Sequence, residues 1–412
     1  MSPVTPVALR EVIRRIEAKT RPGPSARRAA SLEDLVEGEV EETERGGVLV
    51  VRRRFPLDHH HGRTPLAHTG TAPRASLSLL GRGDAEPPEA ARLVYLDTET
   101  TGLAGGTGTY AFLVGAGFVD GDAFEVRQYF MRDLDEEPAL LAALDALLRR
   151  FEGVVTYNGA GFDLPLLETR FVLGRRRWRD DVFHLDLLPA ARRLWRDRLA
   201  DCRLATVESH VLGFARTDDL PGALIPYAYF DYLRRKRPGD IPRVFEHNRH
   251  DILSLAALTG WVTGAIARAP APELASWELA GLGALLEAVE PERGEACFRL
   301  ALELGLAGEP RERLLLRLAV REKRRRRWDE ARALWGELAS LRGGFDPRPW
   351  EEIAKIDEHR RRDLAGALDV ASHALDVADR SGAPTAVRHG LTHRLARLSR
   401  RLSRSQPASP GL

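Results

Sequence analysis

Val94-Tyr-Leu-Asp-Thr-Glu-Thr-Thr-Gly-Leu103 is an apolar run that ends in two carboxylates, Asp97 and Glu99. Residues two apart on a strand project to one face, so these side chains would be neighbours at the strand's end. Like charges so placed repel unless a proton or a cation sits between them. The stretch predicts a buried strand whose tip is built to receive something positive.

Outward from it, the strand Arg92 to Asp97 leads through a glycine-rich turn, Gly102-Leu-Ala-Gly-Gly-Thr-Gly108, into a second strand, Tyr110 to Val119. Asp120-Gly-Asp122 turns into a third, Phe124 to Met131, giving an antiparallel meander. Leucines at helical spacing, with acidic residues at the start and basic ones at the end, predict a helix over Glu136 to Phe151. A strand at Gly153 to Tyr157, a helix at Gly161 to Leu173, a strand at Val182 to Asp186 and helices to about Ala267, including Phe245 to Ile266, follow. This order predicts an α/β domain over residues 91–268, a mixed sheet flanked by helices.

Residues 1–90, rich in Pro, Gly, Arg and Ser, predict a flexible and mostly extended arm, with a short helix at Leu9 to Lys19 and one strand-like run, Gly47 to Phe55. Within it His59-His-His61 supplies too few ligands for a metal and predicts a solvated loop. Beyond Pro270-Ala-Pro272 the pattern is wholly helical. Segments beginning at Arg293, Asp329 and Leu364 align on Ala296, Ala331 and Ala367, a spacing of about 35 residues. That is close to the ~34-residue period of tetratricopeptide hairpins and predicts a helical-repeat domain over residues 273–400, a surface for a protein partner. An irregular helical bundle is the alternative. Residues 401–412 predict a disordered tail.

No apolar run approaches the ~18 residues of a membrane span, and the N-terminal stretch lacks the apolar core of a secretory signal. Only Cys202 and Cys297 occur, without metal-ligand spacing, which argues against a disulfide framework and a zinc site. A soluble, cytoplasmic protein is expected. A net charge of +2 gives no global pull on a polyanion. Local basic runs matter more, and Arg175-Arg-Arg177 beside Trp178, like Arg234-Arg-Lys-Arg237 near Tyr232, could track a phosphate backbone.

Two further acids extend the pair. Tyr157-Asn-Gly-Ala-Gly-Phe-Asp163 leads from a strand into a helix, which puts Asp163 in its first turn; Asn158 would either touch a sugar or phosphate or shape the turn. His247-Asn-Arg-His-Asp251 places His247 and Asp251 four apart on one helix face. Four acids at strand ends and on flanking helices can converge on two divalent cations, and oxygen-only ligation selects Mg²⁺ or Mn²⁺. Such a pair of ions supports in-line phosphoryl displacement, which is nuclease chemistry. Asp186 at the end of its strand is either a further ligand or a helix N-cap, the latter favoured. The glycine loop from Gly102 lacks the Lys-Ser/Thr of a nucleotide-binding P-loop; close approach to a substrate phosphate or a plain turn remain.

Asp97-Thr-Glu99-Thr-Thr-Gly102, Asn158 with Asp163, and Asp251 resemble the three motifs of the DEDD branch of the ribonuclease H-like superfamily. The run from His184-Leu-Asp-Leu-Leu188 through Leu204-Ala-Thr-Val-Glu208 and Asp219-Leu-Pro-Gly222 to Asp251 is similar to the YprB-like predicted exonucleases, which often carry tetratricopeptide-like repeats. The resemblance implies a ribonuclease H-like fold and 3′-to-5′ exonucleolysis of DNA or RNA with a free end. It also implies Asp97, Glu99, Asp163 and Asp251 as ligands of two Mg²⁺ or Mn²⁺ ions. Thr98, Thr100, Gly102, Asn158, Arg175, Arg176 and Arg177 are the expected substrate contacts. One departure stands out: the histidine-type subgroup has its base five residues before the last Asp, where this chain has Glu246, and the tyrosine-type subgroup four before, where it has His247. His247 is the expected base or water-orienter, with a surface histidine as the alternative. A nucleic-acid-binding scaffold without catalysis is the rival function.

Overall fold

The computed structural model describes residues 31–102, 108–341 and 345–405. Nine strands occur among them: β1 Gly38–Thr43, β2 Gly46–Pro56, β3 His60–His61, β4 Thr64–Pro65, β5 Leu93–Thr100, β6 Ala111–Asp120, β7 Ala123–Phe130, β8 Gly153–Thr156 and β9 Phe183–Asp186. Seven form one sheet in the order β1-β2-β7-β6-β5-β8-β9, and β3 pairs only with β4. The expected meander is β5-β6-β7, antiparallel throughout, while β8 and β9 join β5 in parallel. The fold is therefore the expected mixed α/β sheet, followed by an all-helical region.

β5 lies near the middle, and its sequence shows it. Leu93, Val94, Tyr95 and Leu96 are all buried, one alternate pair on each face of the sheet. Leu93 and Tyr95 join a core with the C-terminal half of the long helix Ile241–Arg268. Val94 and Leu96 face the helices Glu137–Leu148 and Asp163–Leu173. Burying each such side chain contributes roughly 1.5–3 kcal/mol, so the polar residues that interrupt this pattern at Asp97 need another explanation than packing.

The expectation of a flexible arm over residues 1–90 fails over the described part, Ser31 onward. β2 is a full strand of the sheet, paired with β7 from Leu49↔Phe130 to Pro56↔Ala123, and β1 covers its other edge. The strand-like run Gly47 to Phe55 is thus a strand: Val48, Leu49, Val50 and Val51 are buried, and its arginines are partnered, Arg53 with Glu37 and Arg54 with Asp120. The expected helix at Leu9 to Lys19 lies outside the described residues. His61 is buried rather than solvated, and the tail is helical as far as Ser405 in the helix Thr385–Ser405.

β6 carries glycines where the long helix crosses it. A Cβ on Gly115 would lie 2.3 Å from Asn248 Oδ1, and one on Gly117 would lie 2.4 Å from Ile252 Cγ2. The helix can approach only because both positions lack side chains. Gly115→Ala should accordingly lower stability by about 1–3 kcal/mol through overpacking, read as a fall in thermal midpoint. An unchanged midpoint would mean that the helix is not held this close.

After the long helix the chain continues as Ser276–Leu286, Pro291–Glu303, Gly308–Arg324, Trp328–Ser340, Pro347–Ile356, Leu364–Arg380 and Thr385–Ser405, each packing on its neighbours. The three aligned segments form three of these helices, and Ala331 and Ala367 are fully buried where helices meet. Ser276–Leu286 packs against Leu187–Trp195 of the α/β region, so that one continuous core, with Trp195 in it, runs from the sheet into the helical region.

Candidate active site

β5 outruns its parallel neighbour: the last pair with β8 is Tyr95↔Val155, so Asp97 and Glu99 project beyond it, with β6 on one side only. The register of β5 on β6 slips between Glu99 and Thr100. Such irregularities re-aim side chains at strand ends. The notch beside the tip of β5 receives Asp163, the first residue of its helix, where the helix dipole favours a negative charge.

Asp97 and Asp163 are each held by a side chain from another element. Asn248 Nδ2 donates to Asp97 Oδ2 at 2.8 Å, and Asn248 Oδ1 accepts in turn from Gln128 Nε2 at 2.9 Å. Asn248 is fully buried, and it sits between Val244 and Ile252 on the apolar face of the long helix. Thr98 gives both its amide (3.2 Å) and its hydroxyl (2.5 Å) to Asp163 Oδ1. Glu99, His247 and Asp251 bring one ligand atom each within 4.8 Å of one another. Asp251 Oδ2 lies 3.6 Å from His247 Nε2, as the four-residue spacing on one helix face requires.

The electrostatics follow from the crowding. Burial, then the charges of Asp251, Glu99 and Asp163, hold the Asp97 carboxyl well above the usual carboxylate range. Burial pushes Glu99 up to about 8, with His247 opposing and Asp251 and Asp163 adding to the rise. Asp163 is raised mainly by burial, against the hydrogen bonds of Thr98. Burial would lower His247, but the carboxylates of Asp251 and Glu99 outweigh it and the imidazole is raised. Without a cation, this cluster keeps protons at neutral pH.

Among the described residues Glu99, His247 and Asp251 form the close group of ligand atoms, and Asp97 and Asp163 lie near enough to act on it electrostatically. Other expected contacts have different places. Thr100 Oγ1 donates to the Gly102 carbonyl at 2.8 Å, closing the strand end, and residues 103–107 of the glycine loop lie outside the described residues. Asn158 has a left-handed backbone (φ 65°), and its amide donates to Asp186 Oδ1 at 2.7 Å, so it shapes the turn. Asp186 also accepts from the Leu188 amide, the expected N-cap role. Arg175, Arg176 and Arg177 follow the far end of the Asp163–Leu173 helix, roughly 16 Å from its start at 1.5 Å per residue. Arg176 is engaged by Asp145 and Glu44 there. His250 packs on Phe214, ring centroids 5.1 Å apart.

Reasoning from residue types missed one member, Arg216, whose guanidinium is 8% exposed between Glu208 and Asp251. No strand or helix pattern marks it, because it sits in the irregular segment after residue 213. Glu208 and Asp219, quoted above only within a motif run, are its partners: Asp219 Oδ1 accepts from His247 Nδ1 at 2.8 Å, and its Oδ2 lies 3.5 Å from Arg216 Nη1. The donation commits Nδ1, so Nε2 is the nitrogen that faces Asp251 and the one whose proton the carboxylates favour in the absence of a cation.

Residues 94–263 match the RNase_H superfamily. The chain is also 31% identical over 373 residues to the Bacillus subtilis (strain 168) protein named "Uncharacterized protein YprB", with 86% of each chain covered. Residues 94–263 thus form an RNase_H superfamily domain, and the chain as a whole belongs to the family of YprB.

Proposed function

We propose that the protein is a metal-dependent nuclease that hydrolyses DNA or RNA from a free 3′ end, with two Mg²⁺ or Mn²⁺ ions held by Asp97, Glu99, Asp163 and Asp251. The observation that supports the reading is that Glu99, His247 and Asp251 bring ligand atoms within 4.8 Å of one another in a buried notch, with Asp97 and Asp163 near enough to act on them electrostatically. The donor set fits hard divalent cations, being carboxylate oxygens with one imidazole and no thiolate. When bound, such ions supply charge stabilisation to the attacking and leaving oxygens of a phosphodiester displacement. The chain's own residues do the rest. Asn248 and Thr98 orient Asp97 and Asp163, and His247, oriented by Asp219, offers Nε2 to take a proton from water. The polarity rests on the resemblance to DEDD exonucleases. The helical region fits a repeat surface of tetratricopeptide type, on which a protein partner would dock.

The direct test is an assay with Mn²⁺ or Mg²⁺ on end-labelled single-stranded DNA and RNA. The expected product is a ladder shortening from the 3′ end, lost on chelation. Binding that survives chelation, with no hydrolysis of either polymer, would instead identify a nucleic-acid scaffold.

A second expectation follows from the raised Glu99. A carboxyl that titrates near 8 in the metal-free fold, against about 4.3 unfolded, holds a proton that must leave when a cation binds. Its contribution to folding therefore falls as pH rises from about 4.3 toward 8, so the metal-free protein weakens over that window. Mn²⁺ should raise the thermal midpoint more at pH 8 than at pH 6, and calorimetry in two buffers of different ionisation enthalpy should show protons released. Identical heats in both buffers would contradict it.

A further inference from the structure

We infer that Arg216 sets which divalent cation the site accepts, by permanently occupying one of the two oxygens of Asp251. The inference rests on the metal-site reading above and adds a positioning residue to it.

Arg216 is clamped. Its Nε donates to Glu208 Oε2 at 2.8 Å and its Nη2 to Glu208 Oε1 at 2.5 Å, a two-bond fork that fixes the plane of the guanidinium. Glu208 is 1% exposed, and its Oε1 accepts a second hydrogen bond, from Ser254 Oγ at 2.5 Å. Ser254 Oγ in turn lies 2.7 Å from His61 Nε2. Burial pushes His61 down to about 3, so its ring is neutral and donates to Ser254. Ser254 follows Asp251 by three residues on the same helix, which ties the clamp to the ligand it serves.

The remaining donors are spent too. Nη1 lies 3.5 Å from Asp219 Oδ2, and Nη2 also donates to Asp251 Oδ1. A guanidinium with every nitrogen engaged is poorly suited to catching a substrate phosphate. It is well suited to keeping Asp251 Oδ1 away from a cation, leaving Oδ2, the oxygen that faces His247. A carboxylate so restricted offers one oxygen. Mg²⁺ asks no more, since it takes six ligands at about 2.0–2.1 Å and keeps several waters. Ca²⁺ wants 6–8 oxygens at about 2.3–2.6 Å and commonly takes carboxylates through both. The clamp therefore discriminates against the larger ion.

The test is calorimetric titration of the metal-free full-length protein with Mg²⁺ and with Ca²⁺, without substrate. The double variant Arg216→Met with Glu208→Gln removes the charge pair together and keeps an acceptor for Ser254; removing both partners of a buried pair is far milder than removing one. Its Ca²⁺ affinity relative to Mg²⁺ should rise on the order of tenfold over wild type. Arg216→Lys, which keeps the charge but cannot form the fork, serves if the double variant does not fold, and should raise the same ratio by a smaller factor. Loss of a repelling charge alone would shift both ions by one common factor, so an unchanged ratio overturns the inference. Wild-type protein that binds neither ion would overturn the metal-site reading itself, a separate result.

Discussion

Asp97→Asn should abolish metal-dependent hydrolysis, by at least about 10³-fold, and at the same time make the metal-free protein harder to unfold. The two effects have one cause. Asp97 lies under the combined repulsion of Asp251, Glu99 and Asp163 in a buried pocket, and its carboxyl is held protonated or strained by it. An amide keeps the size and can still accept from Asn248 Nδ2, now 2.8 Å from Asp97 Oδ2, but carries no charge to attract a cation. Relief of about 1 kcal/mol would raise the thermal midpoint in chelator by roughly 2–4 °C for a domain of this size. Thermal scans with and without Mn²⁺, beside single-turnover rates on a labelled strand, check both halves. A variant that cuts at the wild-type rate would remove Asp97 from the chemistry. One whose midpoint falls in chelator would show that the carboxylates do not oppose one another in the free protein.

Much of this site was legible because its residues break patterns that packing would set. Asp97 and Glu99 end an apolar strand, and Asp163 opens a helix after a glycine-containing loop; both are local signals, and both acids lie where the strand–helix order puts them. Asn248 was legible in principle, as a polar residue between Val244 and Ile252 on a buried helix face, but its partner Gln128 is 120 residues away and nothing local names it. Arg216 was not legible: an arginine in a loop has the same appearance whether it meets water or a buried carboxylate. The same difficulty hid β1 and the place of β2 in the main sheet: the run Gly47 to Phe55 reads as a strand, but its partner β7, the last strand of a meander some 70 residues later, has no local sign. For Arg175–Arg177 the sequence shows a basic run but not its distance from the acids, which only the position at the far end of the helix gives. Charge runs report composition, whereas a buried charge reports what surrounds it.

His247→Gln should lower kcat by about 10²–10⁴-fold while leaving the Mn²⁺ affinity of the free protein within a few-fold of wild type. The geometry makes the two readouts separable. His247 Nδ1 is committed to Asp219 Oδ1 at 2.8 Å, so only Nε2 is available, and that atom lies 3.6 Å from Asp251 Oδ2, one helical turn away. If Nε2 takes a proton from water, glutamine removes the base but leaves the four carboxylates intact, and the loss falls on kcat. If Nε2 were itself a ligand beside Glu99 and Asp251, metal affinity would fall with the rate. Asp219→Asn sharpens the comparison: it keeps the hydrogen-bond distance but weakens the anchor of Nδ1, so a base oriented by Asp219 should lose rate without loss of metal, to a lesser degree than His247→Gln. An Asp219→Asn enzyme as fast as wild type would leave His247 as a neighbour of the site, held by packing alone, and the proton would have to go elsewhere.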